Sequence, residues 1–189
     1  MINYRLQYDG KELRYDVRKL ITENHYSHSY RSQQQVHVFS LMDGATTVGA
    51  AVFGKPMSRN LDPTLLELRR FCLIDDTPRN TESYFLSMCL RWLRKNTDVT
   101  KVITFADPNQ GHQGTIYKAT NFKYDGEESN GNPRIIRLDD RTIHLRQAYQ
   151  KKGGEYTEDA KRIQEAIREG RAEVLKQERK LRYLYDLRR

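Results

Sequence analysis

The sequence predicts a mixed α/β fold in which one sheet carries helices on both faces, and three observations lead to it. Short apolar runs typical of strands alternate with segments of helical periodicity. Asp43-Gly44 lies between two β-rich runs, which is a strong hairpin signal. Residues 65–106 follow the order strand, helix, strand, and such units pair their strands in parallel through a right-handed crossover. We therefore expect both antiparallel and parallel pairs in one sheet.

Each element has a local reason in the sequence. The predicted strands are short apolar runs bounded by polar residues, glycine or proline, and they cover residues 1–10, 36–41, 46–53, 65–73, 102–106 and 134–138. The predicted helices have apolar residues at spacings of three and four, and they cover residues 16–22, a long segment after the 75–83 loop, and 115–120. Arg91, Arg94 and Lys95 lie toward the C-terminal end of the long helix, where cations suit the helix dipole.

The composition limits the classes of function. Among the 189 residues, 33 Lys and Arg stand against 25 Asp and Glu, which gives a formal net charge of +8. No apolar run approaches the ~20 residues that span a bilayer, and the first residues do not resemble a secretory signal. Cys72 and Cys89 are too few for a disulfide-stapled secreted domain. We expect a soluble cytoplasmic protein without a membrane partner, and basic residues interleaved with tyrosines favour nucleic acid as the partner.

The tail is predicted to be a separate basic helical extension. Lys151-Lys152-Gly153-Gly154 is a linker pattern, so the predicted division is a domain over 1–150 and an extension over 151–189. Apolar residues of the extension follow alternating steps of three and four, as in a helix with a narrow apolar seam. Three roles stay open for this helix: docking on its own domain, forming a homodimer, or lying along a nucleic-acid backbone.

Residues 77–83, at the start of the long helix, are a candidate anion site. The first backbone N–H groups of a helix are unpaired and carry partial positive charge. Arg79 adds a guanidinium, and Asn80, Thr81 and Ser83 add polar side chains around these groups. Simple capping by Asn80 or Thr81 is the alternative. The loop has no glycine, although phosphate-binding loops usually need one for close approach.

Asp107 and Tyr117 are candidates for acid–base chemistry. Asp107 follows the strand 102–106, and ligands of α/β sheets gather outside the carboxyl ends of strands. Arg70, near the end of another predicted strand, is expected close to it. Asp107 can be read as a base, a metal ligand or the cap of a turn. Tyr117 can be read as an acid or as an interior tyrosine packed on the sheet.

The loop with His25, Tyr26, Ser27 and His28 is a candidate substrate contact. Its aromatic and polar side chains suit a planar ligand, although a packed or solvated loop remains the alternative. Zinc is not indicated, because the scattered histidines do not form a tetrahedral cluster. His25 together with Asp107 would suit non-haem iron, Fe(II).

Several of these motifs, taken together, resemble the bacteriophage Mom family of DNA-modification proteins. They are Asn24-His25-Tyr26-Ser27, Leu68-Arg69-Arg70-Phe71, Asn80-Thr81-Glu82-Ser83, Phe105-Ala106-Asp107 and Gly111-His112-Gln113-Gly114-Thr115-Ile116-Tyr117. The resemblance covers roughly residues 20–140 and implies a fold like that of the Gcn5-related N-acetyltransferases (GNAT). It also implies an enzyme that converts adenine in double-stranded phage DNA to its N6-carbamoylmethyl form. In the infected bacterial cell this product protects the DNA from restriction endonucleases.

The resemblance also implies roles for individual residues. Arg70, Ser83, Asp107 and Tyr117 match residues implicated in the family, and His25 and Tyr26 match its loop motif. We expect Asp107 to act as base or metal ligand and Tyr117 as acid or positioning phenol. Arg70 and Ser83 would hold the donor's oxygen. The loop 25–27 would form the wall of a pocket for a flipped base. Iron, which has been proposed for the family, would fit His25 and Asp107.

One departure from the wider fold family keeps two alternatives open. Ordinary GNAT enzymes present a Gln/Arg-x-x-Gly-x-Gly/Ala loop to coenzyme A, whereas this chain has the bulky sequence Arg79-Asn80-Thr81-Glu82-Ser83-Tyr84. Standard acetyl-CoA binding is disfavoured, but binding of a small anion is not. The first alternative is an acetyl-CoA-dependent N-acetyltransferase acting on a small amine or a hypermodified pyrimidine in DNA. The second is a non-catalytic basic DNA-binding module.

Overall fold

The computed structural model describes residues 4–26, 35–56, 62, 64–128, 134–139 and 141–188. The chain forms two compact units. Unit 1 contains residues 1–106, 112–126 and 181–189, and unit 2 contains residues 107–111 and 127–180. This division differs from the predicted boundary at residue 150, because the end of the chain returns to unit 1.

Twelve strands and four α-helices make up the described residues. The strands are β1 (Arg5–Gly10), β2 (Gln35–Asp43), β3 (Thr46–Gly54), β4 (Leu65–Leu73), β5 (Lys101–Ala106), β6 (Lys123–Glu127), β7 (Arg134–Leu138), β8 (Arg141–His144), β9 (Lys151–Lys152), β10 (Glu155–Tyr156), β11 (Ala172–Lys176) and β12 (Leu181–Asp186). The helices are α1 (Tyr15–Asn24), α2 (Thr81–Asn96), α3 (Thr115–Ala119) and α4 (Glu158–Arg168). Short 3₁₀ turns cover Pro108–Gln110 and Leu145–Tyr149.

Unit 1 is built on a seven-stranded sheet with the order β1-β2-β3-β4-β5-β12-β6. The β1–β2, β2–β3, β3–β4 and β5–β12 pairs are antiparallel, and β4–β5 is parallel. The predicted mixed sheet is therefore confirmed, together with the hairpin at Asp43-Gly44 and the crossover through α2.

Helices cover both faces of this sheet, as predicted. On one face, α1 packs Val17, Leu20 and Ile21 against residues of β2, β3 and β4. On the other face, α2 forms the larger core with its apolar residues at spacings of one, three and four, which are Phe85, Leu86, Cys89, Leu90 and Leu93. Since each helix buries one stripe of side chains, the sheet is the shared middle layer of unit 1.

Two irregularities open the sheet near its centre. The β3–β4 register shifts by one residue between Arg70 and Leu68, which makes Arg69 the extra residue of a β-bulge. The parallel β4–β5 pairing covers only residues 65–67 of β4. Beyond it, the buried Thr104 hydroxyl donates to the Leu68 carbonyl at 3.4 Å. A side chain thus replaces the backbone ladder where the two strands separate.

Unit 2 has its own small core. A three-stranded antiparallel sheet, β11-β7-β8, packs with α4 around buried apolar side chains, which are Ile136, Leu138, Ala148, Ile163 and Ala166. The strands β9 and β10 form a separate two-stranded hairpin whose turn is Gly153-Gly154. Both glycines have positive φ, at 62° and 89°, which the tight turn requires.

The prediction of a single helix over the tail is wrong. The charged helix α4 is present, but it ends at Arg168, and Gly170 with φ of 72° turns the chain away from the helical path. Residues that continue the spacing of three and four, Val174, Leu181 and Leu184, lie on β11 and β12 instead. The last predicted strand, 134–138, is confirmed as a strand, but it belongs to the sheet of unit 2.

No helix within the described ranges is long and apolar enough to cross a membrane.

Candidate active site

A cavity of about 420 Å³ lies at the start of α2 in unit 1. The predicted anion-binding residues Arg79, Asn80 and Thr81 all line it, and so does Ser83. On its other side the cavity is lined by α3, through Thr115, Ile116 and Ala119. The residues predicted at this helix start therefore lie together on one cavity, and their role in binding stays a prediction.

The first turn of α2 has no side-chain cap among the described residues, which excludes the capping alternative. Asn80 adopts φ of 69°, a left-handed conformation that asparagine tolerates, and its side chain does not turn back to the helix. The hydroxyls of Thr81 and Ser83 donate to the carbonyls of Pro78 and Asn80, at 2.6 and 3.0 Å. These hydroxyl oxygens can still accept a hydrogen bond, and the backbone N–H groups of Glu82 and Ser83 keep their capacity to donate to a ligand.

The charges and donors of the cavity do not fit the diphosphate of coenzyme A. Two acids, Asp75 and Glu82, line the cavity with one cation, Arg79, so the formal charge of the lining is −1. Pro78 has no N–H, and the Thr81 N–H already donates to the Pro78 carbonyl at 3.1 Å. The remaining donors suit one small polar group, whereas a diphosphate would meet two carboxylates.

Four rings form a second group of site residues in unit 1. The rings of His25 and Tyr26 have centroids 4.3 Å apart, and Tyr26 lies 5.5 Å from His112. Tyr117 lies close enough to Tyr26, and to Glu82 of the cavity, for both to raise the pKa of its phenol. His25 is 7% exposed and Tyr26 is 42% exposed, so the group has one buried ring and one ring that solvent can reach. The predicted contacts His25, Tyr26 and Tyr117 thus lie in one neighbourhood, and the prediction did not single out His112.

The environment of Tyr117 keeps its phenol protonated. Burial raises the pKa of Tyr117, and a hydrogen bond with Thr104 only partly offsets this effect. The nearby groups Tyr26, Glu82 and Tyr183 raise it further. At neutral pH the side chain is therefore a hydrogen-bond donor and a weak acid, not a base.

Tyr183 on β12 supports the loop that precedes α3, the helix that carries Tyr117. Its hydroxyl donates to the Gln113 carbonyl at 3.0 Å, and its ring lies 5.5 Å from that of Tyr117. A Cβ atom on Gly114 would meet the Tyr183 ring at 2.3 Å, so only glycine allows this approach. The sequence did not reveal this support, because β12 was predicted as part of a helix.

Asp107 belongs to unit 2 and caps a 3₁₀ turn. Its Oδ1 accepts hydrogen bonds from the backbone N–H and the Nδ2 of Asn109, at 3.1 and 2.9 Å. Its Oδ2 lies 3.9 Å from the Lys180 ammonium. Asn109 also exchanges two hydrogen bonds of 2.9 Å with the backbone of Glu178. The turn-cap role is present, and the role of Asp107 as a base stays a prediction.

The described residues do not present a built metal centre. No three His, Cys, Asp or Glu side chains are grouped as ligands within these ranges. His25 belongs to unit 1 and Asp107 to unit 2, so the pair proposed for iron remains a prediction.

Arg70 lies on the α1 face of β4, the face that also carries Cys72. Its Nη1 donates to the Arg69 carbonyl at 2.7 Å, and its predicted role toward the donor stays a prediction.

Cys72 and Cys89 are free and buried, and burial raises the pKa of Cys72 to about 12, so neither thiol is a ready nucleophile. Ser27 lies outside the described residues.

Solved structures with the same architecture are acetyltransferases. A Bacillus subtilis acetyltransferase in complex with CoA is 12% identical, with a TM-score of 0.58 over 97% of this chain and 99% of that one. An IAA acetyltransferase from Bacillus cereus gives 10% and 0.57, with the same coverage of both chains. The ribosomal-protein-S18-alanine N-acetyltransferase of Escherichia coli gives 11% and 0.53, over 97% of this chain and 94% of that one. The predicted GNAT-like fold is confirmed.

The sequence comparisons give the family. The methylcarbamoylase mom of Escherichia phage Mu is 31% identical over an aligned length of 135, and the match covers 63% of this chain. The match spans 56% of the length of that relative. The model of the Mom protein family matches residues 14–189. The order of motifs, the GNAT-like sheet and this match over most of the sequence agree, and the chain belongs to the Mom protein family.

Proposed function

We propose that this protein is a DNA-modifying transferase that adds a carbamoylmethyl group to the N6 atom of adenine in double-stranded DNA. One structural observation carries the proposal: the segment that leads into Tyr117 joins the ring group to the cavity, since the His112 ring lies 5.5 Å from the Tyr26 ring and Thr115 and Ile116, next to Tyr117, line the cavity. A planar base and a small polar donor can therefore meet at one phenol. The name of the phage Mu relative, methylcarbamoylase, supports the proposed identity of the transferred group.

The lining of the cavity is complementary to a neutral primary amide. Such an amide has a carbonyl oxygen that accepts hydrogen bonds and an NH₂ group that donates them. The backbone N–H groups of Glu82 and Ser83 and the Arg79 guanidinium are donors for the oxygen, and the carboxylates of Asp75 and Glu82 are acceptors for the NH₂. This combination supports an uncharged carbamoylmethyl donor over coenzyme A.

The ring group suits a flipped base. Enzymes that act on a base inside a duplex rotate it into a pocket and stack it between aromatic side chains. Tyr26 and His112 offer such rings on the exposed side of the group, above the buried His25.

The transfer needs a proton acceptor and an activated electrophile. The lone pair of adenine N6 is delocalised into the ring, so N6 attacks only as its proton leaves. We assign to the protonated Tyr117 a hydrogen bond to the developing charge on the donor, and for Asp107 we keep the acceptor role that the resemblance to the Mom family implies. The new N6–CH₂ bond forms while the donor's leaving group departs with its electron pair.

Nucleoside analysis tests this function. DNA from bacteria that express the protein should contain an adenosine heavier by one carbamoylmethyl group, detected by mass spectrometry after digestion. Tyr117→Phe should reduce the modified fraction by about tenfold or more. The control Tyr124→Phe alters an exposed phenol and should leave the fraction unchanged. An unchanged nucleoside profile with the wild-type protein would refute the proposal.

An acetyl-CoA-dependent N-acetyltransferase is the rival function, and the likeness to a structure solved with CoA favours it. Calorimetric titration of the protein with acetyl-CoA separates the two functions. The charge and donors of the cavity predict no binding at micromolar concentrations, whereas micromolar binding would support the rival.

A further inference from the structure

We infer that an exposed strip of unit 2 binds the phosphate backbone of the duplex DNA on which the proposed activity takes place. We call the exposed segment 141–156 the basic strip; its cations are Arg141, Arg146, Lys151 and Lys152, and its tyrosines are Tyr149 and Tyr156. This inference rests on the proposed function and adds the surface that holds the DNA.

Cations outnumber acids in the strip. Residues 141–156 contain four cations and one acid, Glu155, which pairs through its backbone with Lys152 across the β9–β10 hairpin. None of the four forms an ion pair with a described carboxylate, whereas Arg137, Lys161, Arg171 and Lys180 of the same unit do. Unit 2 as a whole is nearly neutral, with 13 Lys and Arg against 12 Asp and Glu in residues 107–111 and 127–180, so the strip is a local feature.

Every cation and tyrosine of the strip is exposed, and its tyrosines suit a polyanionic partner. Tyr149 is 59% exposed and Tyr156 is 37% exposed. The Lys151 ammonium lies 4.7 Å from the centre of the Tyr156 ring, a cation–π contact that holds the charge beside a phenol. Lys, Arg and Tyr side chains commonly contact phosphate oxygens in complexes with DNA.

The strip is held in place by the core of unit 2. The Thr157 N–H donates to the Gln150 carbonyl at 3.0 Å and closes the base of the β9–β10 hairpin. Gln164 of α4 donates to the carbonyl of the buried Ala148 at 2.5 Å. The cations therefore stand on an ordered backbone, which reduces the entropy that binding must overcome.

The pKa of His144 reflects the positive charge around it. Burial lowers the pKa of His144, and the nearby cations Arg146 and Lys180 lower it further. The His144 Nδ1 also accepts a hydrogen bond from the Arg146 backbone N–H at 3.1 Å, so that nitrogen carries no proton. The surface is thus positive through its Arg and Lys side chains, while the histidine stays neutral.

The test compares two triple variants of the full chain with equal loss of charge. Arg146→Ala/Lys151→Ala/Lys152→Ala removes three cations of the strip, and Arg162→Ala/Arg168→Ala/Lys176→Ala removes three exposed cations elsewhere in unit 2. Binding to an unmodified adenine-containing duplex is measured by fluorescence anisotropy over a range of salt concentrations. Loss of three phosphate contacts should reduce the slope of log K against log salt by about 3, and weaken binding at low salt by tenfold or more.

The control triple should keep the slope of the wild-type protein. Equal losses in both triples would overturn the inference, because they would reflect net charge rather than the strip. If the strip triple lowers the melting temperature, the single variant Lys152→Glu must still lower the affinity. A wild-type protein that does not bind duplex DNA would refute the proposed function as well. Wild-type binding with an unaffected strip variant would overturn only the inference.

Discussion

At the residue scale, Asp9 of unit 1 is a buried carboxylate that several partners hold in place. Its side chain is 2% exposed and lies 3.3 Å from the Arg14 guanidinium. Gln7 donates to its Oδ1 at 2.7 Å, and the Ser40 hydroxyl donates to its Oδ2. A buried carboxylate is stable only with such partners, since an unpaired buried charge is costly.

Replacing Arg14 should therefore destabilise unit 1. Arg14→Ala leaves the Asp9 carboxylate without its cation, and we expect a loss of about 2–3 kcal/mol in the free energy of unfolding, measured in urea. The exposed pair Lys19–Glu23, at 3.9 Å, provides the control. Lys19→Ala should cost no more than about 0.5 kcal/mol. Similar losses for the two variants would contradict this assignment.

Individual site residues were predictable only when the chemistry was local. Arg79, Asn80 and Thr81 were predicted from their place at a helix start, and the structure puts them on one cavity. The left-handed conformation of Asn80 and the acidic side of the cavity depend on neighbours that no local pattern reveals. The same is true of Thr104, whose role comes from the separation of β4 and β5.

At the element scale, the short helix α3 depends on a contact from a distant strand. Gly114, its N-terminal flanking residue, has φ of 71° and lies directly against the ring of Tyr183. Any larger residue would displace that ring and, with it, the loop that precedes Tyr117.

Two alanine substitutions separate the effect of the steric contact between residue 114 and Tyr183 from the effect of backbone strain. Gly114→Ala adds both a left-handed alanine and a steric clash, and we expect a loss of about 3 kcal/mol. Gly10→Ala has a similar φ of 72° but no atom within 4 Å, and it should lose only about 1 kcal/mol. Thermal unfolding measures both, and equal melting temperatures would show that the ring yields easily.

The elements that were predicted correctly have one dominant pattern. The residues of β2 and β3 flank an unmistakable turn, and α2 has a single apolar stripe. The run 181–186 carries two patterns: Leu181 and Leu184 continue a helical spacing, while Leu181, Tyr183 and Tyr185 alternate as in a strand. The choice is decided by pairing with β5, which is a long-range interaction and is not encoded locally.

At the scale of the whole molecule, unit 2 is inserted between two strands of unit 1. The chain leaves the main sheet after β6 and returns to it at β12, the neighbour of β6. The Arg182 guanidinium bonds to Asp125 at 2.9 Å across these strands, and the Glu128 N–H donates to the Lys180 carbonyl at 2.9 Å where they end. The two ends of the insertion thus meet.

Two deletions should therefore have opposite effects. Removal of residues 151–189 takes β12 from between β5 and β6, and we expect no cooperative unfolding transition in calorimetry. Replacement of residues 129–179 by a short glycine-containing turn keeps all seven strands, and should give a folded unit 1 with such a transition. A folded 1–150 fragment would contradict the strand order.

The position of β12 also has a consequence for synthesis in the cell. The ribosome makes this strand after all the others, yet its place is inside the sheet, beside β5. During translation the nascent chain therefore exposes an unpaired edge of β5, and the hydrophobic surface beneath it stays uncovered. The sheet closes only after residues 181–186 have emerged from the ribosome, so newly made protein should need protection by chaperones until then.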